Sequence, residues 1–449
     1  MTNKLSNDLK SRPDLQAKVM RKVALRLIPF LAFAYFLNYI DRSNIGVAKL
    51  TMSEDIGLTE TTFGIASAIF FIGYVFCEVP SNLALYRFGA RRWIARIMVS
   101  WGAVVVGMAF IQDATGLYIA RFLLGIAEAG FFPGVILFLT WWFPRAMRVR
   151  LTALFMLALP VSQAIGNPLS AAVLQYLDGI FGLTGWQALF IVQGVPTIAM
   201  GIAAWFYLTD RPHQAKWLTS EERNWLDSAM TVELAETPNV HGSTRKSLRD
   251  PRVWALGAVY FTLSYSLIVL SFFLPTIVAQ ISKTYSSGFT VFQTGLVSGA
   301  PFAVGAIAMF FWARHADRSR ERLWHVVGPL ALAGVATPIA LTMGSPVAIM
   351  AVFCLAAVGI FGAYPAFWYL PSSFLTGSGA AAGIALVNTI GATAGLIGPY
   401  LTGWLLDATG SSQIPMLIVG VLLLLGALLL VFVFKSMAKT PEMTGTTLG

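Results

Sequence analysis

The sequence predicts an all-α membrane protein of about 12 transmembrane helices, arranged as two pseudo-symmetric six-helix halves around a central cavity. Composition is the first reason. Of 449 residues, 57% are apolar and only 12% charged, against roughly 45–50% and 25% in soluble domains. A soluble globule of this size could not cover its surface with so few charges. The second reason is that the apolar residues fall into twelve runs, each long enough to cross a hydrocarbon layer of about 30 Å. None shows the alternation of a barrel strand, and a helix satisfies its own backbone groups inside a bilayer. Third, one long polar interruption divides the runs six and six, and the two sets echo one another.

Residues 1–22 form a polar, basic tail. The first run, 23–47, carries Asp41 and Arg42 towards its far end and has no small-residue cleavage site, so it reads as a retained span rather than a signal peptide. Runs 62–85 and 93–111 follow, joined by a basic connection. Run 117–141 contains Arg121, Gly125, Glu128 and Pro133, with Trp141 and Trp142 as interface anchors at its end. Runs 151–176 and 186–208 complete the first half. The polar segment 209–251 is expected on the cytoplasmic side, with a surface helix near 219–230 capped by Thr219 or Ser220. The second half comprises runs 252–278, 292–313, 324–342, 346–370, 380–404 and 413–434, and a basic tail spans 435–449.

Nearly every Lys and Arg outside the runs lies on the side of the N-terminal tail, with Lys49 and Lys283 on the other. The excess of cytoplasmic basic residues therefore places both termini in the cytoplasm. The same pattern accounts for the net charge of +10 without a nucleic-acid partner. Cys77 and Cys354 lie far apart inside apolar runs, which excludes a disulfide framework. His213, His241, His315 and His325 fall in or beside polar segments and read as solvated, and no metal-ligand spacing occurs. No glycine-rich phosphate loop and no nucleophile–base constellation is found, so the sequence reads as neither an ATPase nor an enzyme, with no cofactor beyond protons as the coupling ion.

The halves repeat at equivalent places. Gly166-Asn167-Pro168 in the fifth run answers Gly398-Pro399 in the eleventh. Gly125 and Pro133 in the fourth answer Gly359 and Pro365 in the tenth. Such duplication marks secondary transporters that rock around a central site. The connections Arg87-Phe88-Gly89-Ala90-Arg91-Arg92 and Asp317-Arg318-Ser319-Arg320-Glu321-Arg322, with Arg121-x-x-x-Gly125 and Pro133, resemble signatures of the major facilitator superfamily. Asn38-Tyr39-Ile40-Asp41-Arg42, Glu78-x-Pro80-Ser81-Asn82, and Arg121 with Glu128 resemble the anion:cation symporter family, nearest to bacterial tartrate, galactonate and glucarate carriers. The resemblance implies the major facilitator fold and an inner-face latch involving Arg91, Asp317, Arg318 and Arg322. Asn82 and Tyr86 stand where many members have a glycine and an aspartate, which puts that latch in doubt in the first half.

Charges inside spans are the sharpest functional signal, since each costs about 2.5–3.5 kcal/mol at a helix centre on the insertion scale. Asp41, Arg42, Glu78, Arg121 and Glu128 all lie in the first half. Arg42 offers a planar fork of donors suited to a substrate carboxylate, and Arg121 is expected to hold a second anionic group or a neighbouring carboxylate. Asp41 and Glu128 are the expected proton carriers, because burial and a nearby arginine move a carboxyl in opposite directions. Glu78, near the inner end of its span, is expected to be structural, accepting hydrogen bonds from a neighbouring helix. The resemblance adds Tyr39, Tyr74, Gln163, Trp368 and Asn388 as substrate contacts. Asn and Gln offer both donors and acceptors to hydroxyls.

The function expected is proton-coupled uptake of a small hydroxylated organic anion, tartrate or a related sugar acid, by a monomer in the cell inner membrane. An importer of an aromatic carboxylate, using the same arginines with more ring contacts, is the main alternative. An efflux antiporter for lipophilic cations is a further one, disfavoured by arginines at membrane depth.

Overall fold

The computed structural model describes residues 13–144, 147–148, 151, 155–236, 244–319, 321–374 and 377–437, and among them all regular structure is helical. The first half contains α1 (Pro13–Asp55), α2 (Glu60–Phe88), α3 (Ala90–Gly107), α4 (Ala114–Glu128), α5 (Phe131–Trp142), α6 (Ala158–Tyr176) and α7 (Gly185–Tyr207). The polar segment holds α8 (Ser220–Glu236) and α9 (Thr244–Arg249). The second half contains α10 (Pro251–Thr284), α11 (Val291–Ser319), α12 (Trp324–Ala340), α13 (Pro346–Phe374), α14 (Gly377–Thr409) and α15 (Gln413–Met437). Among the described residues ten stretches are long and apolar enough to cross a membrane, with α4 and α5 counted as one. The shorter α6 and α12 stand in the places of the fifth and ninth spans.

The packing of the first half is repeated in the second. Helix α3 packs on α7 as α12 packs on α15; α2 meets α4 as α11 meets α13; α1 meets α6 as α10 meets α14. Across the halves, α6 lies on α11 and, by the same symmetry, α14 lies on α2. These cross-half contacts are backbone-close. A Cβ added at Gly64 of α2 would strike the Pro399 carbonyl, and one at Gly403 of α14 would strike that of Glu60. Small residues of this kind let helices approach where no hydrophobic force drives them together.

Several elements depart from the expected boundaries. Helix α1 is already helical at Pro13, ahead of the expected residue 23, and Val19 and Met20 are buried rather than solvated. Its far end runs to Asp55, which corrects the placement of Lys49 in an outer loop: that residue is on α1 and only 5% exposed. The fourth span is broken. Helix α4 ends at Glu128, Gly130 takes a left-handed conformation at φ 86°, and α5 restarts at Phe131. A glycine carries that turn without Cβ strain, and a side chain there would also meet Ser81.

The surface helix forms as expected, and Thr219 caps it. The Glu222 N–H donates to Thr219 Oγ1 at 3.2 Å while the Thr219 N–H donates to Glu222 Oε2 at 3.0 Å, a capping box. The same carboxylate binds the basic end of α1: Lys22 donates to it at 2.7 Å and Lys18 lies 3.7 Å away. The hydrogen bond from Lys22, then that from the Thr219 backbone, hold the Glu222 carboxyl below its ordinary value of 4.5. A depressed carboxylate stabilises the fold fully above its unfolded pKa, and the contribution fades as pH falls through the folded one. Hydrogen-exchange protection of α8 is therefore expected to hold from neutral pH to about 4.5 and to weaken below it. In Glu222→Gln it should be lower at neutral pH and lose that step.

Candidate functional site

Helix α1 is apolar nearly all round, so its few polar residues fix its orientation. Asn38 and Arg42, one turn apart, line a central cavity of about 130 Å³ between the halves. Tyr74 and Glu78 of α2 and Gln163 of α6 share that wall, and Tyr260, Tyr364, Trp368 and Asn388 supply the opposite one. Arg42 donates to the Glu128 carboxylate on α4. Its guanidinium also lies over the rings of Tyr39, Phe70 and Tyr74, at 5.3, 5.1 and 5.2 Å from their centroids. Buried cations are held by such ring faces as well as by counter-charges. Glu128 is fully buried and its Oε2 has no hydrogen-bond partner among the described residues.

Arg121 lies behind this wall. It is completely buried, none of its three guanidinium nitrogens has a hydrogen-bond partner among the described residues, and Phe70 and Phe272 flank it at 4.8 and 5.9 Å. Gly125, between Arg121 and Glu128, lets α2 come so close that a Cβ there would strike the Phe70 carbonyl. Asp41 points elsewhere. It accepts from Trp101 Nε1 at 2.8 Å and Thr197 Oγ1 at 2.7 Å, between α1, α3 and α7. Consecutive helical residues lie about 100° apart, so presenting Arg42 to the cavity turns Asp41 away from it.

Among the expected substrate contacts, Arg42, Tyr39, Tyr74, Gln163, Trp368 and Asn388 line the cavity, and Arg121 does not. Gln163 Nε2 donates to Ser271 Oγ at 2.6 Å across the halves. The expectation for Glu78 is corrected. Its carboxylate faces the cavity and accepts no bond from a neighbouring helix among the described residues; only its backbone carbonyl is engaged, by Asn82 at 2.9 Å. Tyr260 and Tyr364 were not foreseen. Tyr260 meets Trp368 edge-on at 4.7 Å and stacks on Phe367 at 5.3 Å. The signal was available in Tyr260, Ser264 and Ser271, polar groups at helical spacing on one face of an apolar run.

At the end away from the basic connections the halves are tied together. Lys49 of α1 pairs with Glu60 of α2 and donates to Thr276 of α10 at 3.2 Å. Asp407 of α14 accepts from the Glu60 and Thr61 N–H groups at 3.1 and 2.7 Å, at the positive end of α2. At the basic end, Arg91 donates its backbone N–H to Asp210 at 2.8 Å, and Arg322 stacks over Tyr369 at 4.4 Å. Arg318 is exposed, and the Asp317 side chain lies outside the described residues, as does His241. His325 is not solvated: it is 7% exposed, 2.7 Å from His315 and 2.9 Å from Glu321.

The Major Facilitator Superfamily matches residues 31–399. A protein of Agrobacterium vitis named for tartrate transport is 44% identical over 429 residues, covering 96% of this chain and 94% of its own. A quinolone resistance transporter of Acinetobacter baumannii is 36% identical, covering 96% and 98%. A bacterial homologue of the human lysosomal transporter Spinster, in an inward-facing, unoccupied conformation, superposes with a TM-score of 0.76 at 16% identity, covering 94% of this chain and 99% of that one.

Proposed function

The chain belongs to the Major Facilitator Superfamily, and from that premise we propose that it imports a small hydroxylated organic anion, tartrate or a related sugar acid, with protons, by alternating access. In this reading it works as a monomer in the cell inner membrane with both termini cytoplasmic. The observation that carries it is a guanidinium, Arg42, at the wall of a 130 Å³ cavity that also displays amides and hydroxyls. Pockets for drug-sized molecules run to roughly 300–1,000 Å³, so this volume suits a much smaller anion. Arg42 grips one carboxylate, and Asn38, Gln163 and Asn388 read the hydroxyls. Glu128 is the primary proton carrier: protonation releases Arg42 to the substrate, and substrate departure returns the pair. Asp41, the second carrier, sits next to Arg42 on α1, so a shift of that helix couples them. A dianion moving with two protons is electrically silent.

The deciding experiment is uptake into proteoliposomes with an imposed pH gradient, screened over tartrate, galactonate, glucarate and an aromatic acid. Tartrate or a sugar acid should accumulate only when the outside is more acidic, and equal uptake without the gradient refutes the coupling. Tyr260, Tyr364 and Trp368 favour a second reading, an aromatic-carboxylate importer, which the screen would reveal by preference for the aromatic acid.

The tie at the end away from the basic connections closes the outer side in this reading. Lys49→Met removes its buried cation and leaves Glu60 and Thr276 unpaired. Labelling of a Ser271→Cys variant by an impermeant maleimide added outside is expected to accelerate about tenfold when Lys49→Met is included, as about 1.4 kcal/mol shifts an equilibrium by that factor. Unchanged labelling would show that the tie does not hold the outer side shut.

A further inference from the structure

A second cleft, separate from the central cavity, opens at the basic end of the first half. It has a volume of about 560 Å³ and is bounded by the inner ends of α1, α3 and α7 and the start of the polar segment. Arg26, Arg91 and Lys216 line it, against the single carboxylate of Asp210. That carboxylate accepts from the Arg91 backbone N–H at the start of α3. None of the three cations forms an ion pair among the described residues. Arg26 Nε, Arg91 Nε and Trp217 Nε1 are buried donors without a hydrogen-bond partner among those residues. Arg26 is held in place all the same, its guanidinium 4.3 Å from the Tyr207 ring and 4.9 Å from Trp217. A cleft with three cations, one of them held between rings, and with buried donors that have no partner among the described residues is suited to an anion.

The rim identifies which kind. Phe206, which also lines the cleft, is 80% exposed, and Val195 and Ile202 continue the same exposed face of α7. That face is the lipid-contacting side of a membrane helix, and the cleft lies where it ends. Tyr207 and Trp217 have the amphipathic rings favoured at the headgroup level. One flank is therefore apolar and at acyl depth while the interior is cationic. A soluble phosphate would leave the flank unused; a lipid with a phosphodiester headgroup engages both. Basic pockets between transmembrane helices on the cytoplasmic side take anionic headgroups. We propose that this cleft is a binding site for the headgroup of an anionic glycerophospholipid, with Arg26, Arg91 and Lys216 around the phosphate and Phe206 against the first acyl carbons. The site is independent of which cargo the central cavity carries.

The test uses the full-length protein in detergent, incubated with phosphatidylglycerol or phosphatidylcholine and examined by native mass spectrometry. Phosphatidylglycerol should be retained more than tenfold over phosphatidylcholine. Each cation near an anionic membrane contributes about a fivefold preference. Lys216→Gln should therefore lower retention about fivefold, and Arg26→Gln with Lys216→Gln about 25-fold, while about 20 mM inorganic phosphate leaves the lipid bound. Lys216 is exposed, so its variant carries the test even if Arg26→Gln folds poorly. Equal retention of the two lipids, or wild-type retention by Lys216→Gln, overturns the proposal. Displacement of the lipid by phosphate assigns the cleft to a free anion instead.

Discussion

Arg42→Lys is expected to lower the initial rate of substrate uptake about 100-fold while leaving thermal stability close to wild type. Charge is conserved, so Glu128 keeps a counter-ion. What is lost is geometry: a guanidinium presents parallel donors to a carboxylate and stacks on rings, whereas an ammonium is a point charge on a flexible stem. Arg42 uses both properties, pairing with Glu128 while lying over Tyr39, Phe70 and Tyr74. Charged hydrogen bonds are worth about 1.5–3 kcal/mol each, and losing the better part of one bidentate grip corresponds to the stated factor. Arg42→Ala would be the poorer experiment, because stranding a buried partner charge costs about 3–5 kcal/mol of stability. Wild-type affinity in Arg42→Lys, measured by uptake in proteoliposomes, would remove this residue from the substrate site.

Glu128→Gln is expected to keep exchange of labelled for unlabelled substrate across the membrane and to lose the part of uphill accumulation that its own proton drives, about tenfold per pH unit. Glutamine is isosteric with a protonated glutamate and can hydrogen-bond Arg42, so binding survives. It cannot release a proton, so the gradient no longer drives the cycle through this residue. Each proton moving down one pH unit supplies about 1.36 kcal/mol, a tenfold concentration ratio, and that factor is lost for every proton the residue carries. Undiminished accumulation in the variant would exonerate Glu128. The fully buried carboxylate, its Oε2 without a partner among the described residues, at the end of a broken helix is what makes it the first residue to test.

Much of the fold was legible because oil imposes its own grammar: the run lengths and the central polar break both follow from solvation. The cavity residues were legible in part. Arg42, Gln163 and Asn388 stand out because polar groups are costly in a bilayer. Rotation was not legible. A helix apolar on every side has no preferred face from sequence, since lipid and protein interior are equally apolar, so nothing in the run told Asp41 from Arg42. Arg121 and Glu128, on one helix, both lie off the cavity wall, and only Glu128 reaches Arg42. Lys49 and His325 were misjudged for a related reason. Their neighbours look like the end of a span, but α1 continues to Asp55, and His325 is drawn inward by His315 and Glu321. Tyr260 was passed over as one aromatic among many in an apolar run, although Ser264 and Ser271 at helical spacing mark the same face.

The first helix is one unbroken rod of 43 residues, about 64 Å from end to end. Three points along it are held: Lys22 by the polar segment, Arg42 by Glu128 of α4, and Lys49 by the opposite half. Pro29 lies between the first two of these points and removes one backbone hydrogen bond there, a place for the helix to flex. In the proposed cycle, a movement of Arg42 toward a bound anion would be felt at both other anchors, because all three lie on one continuous helix that reaches both faces of the membrane.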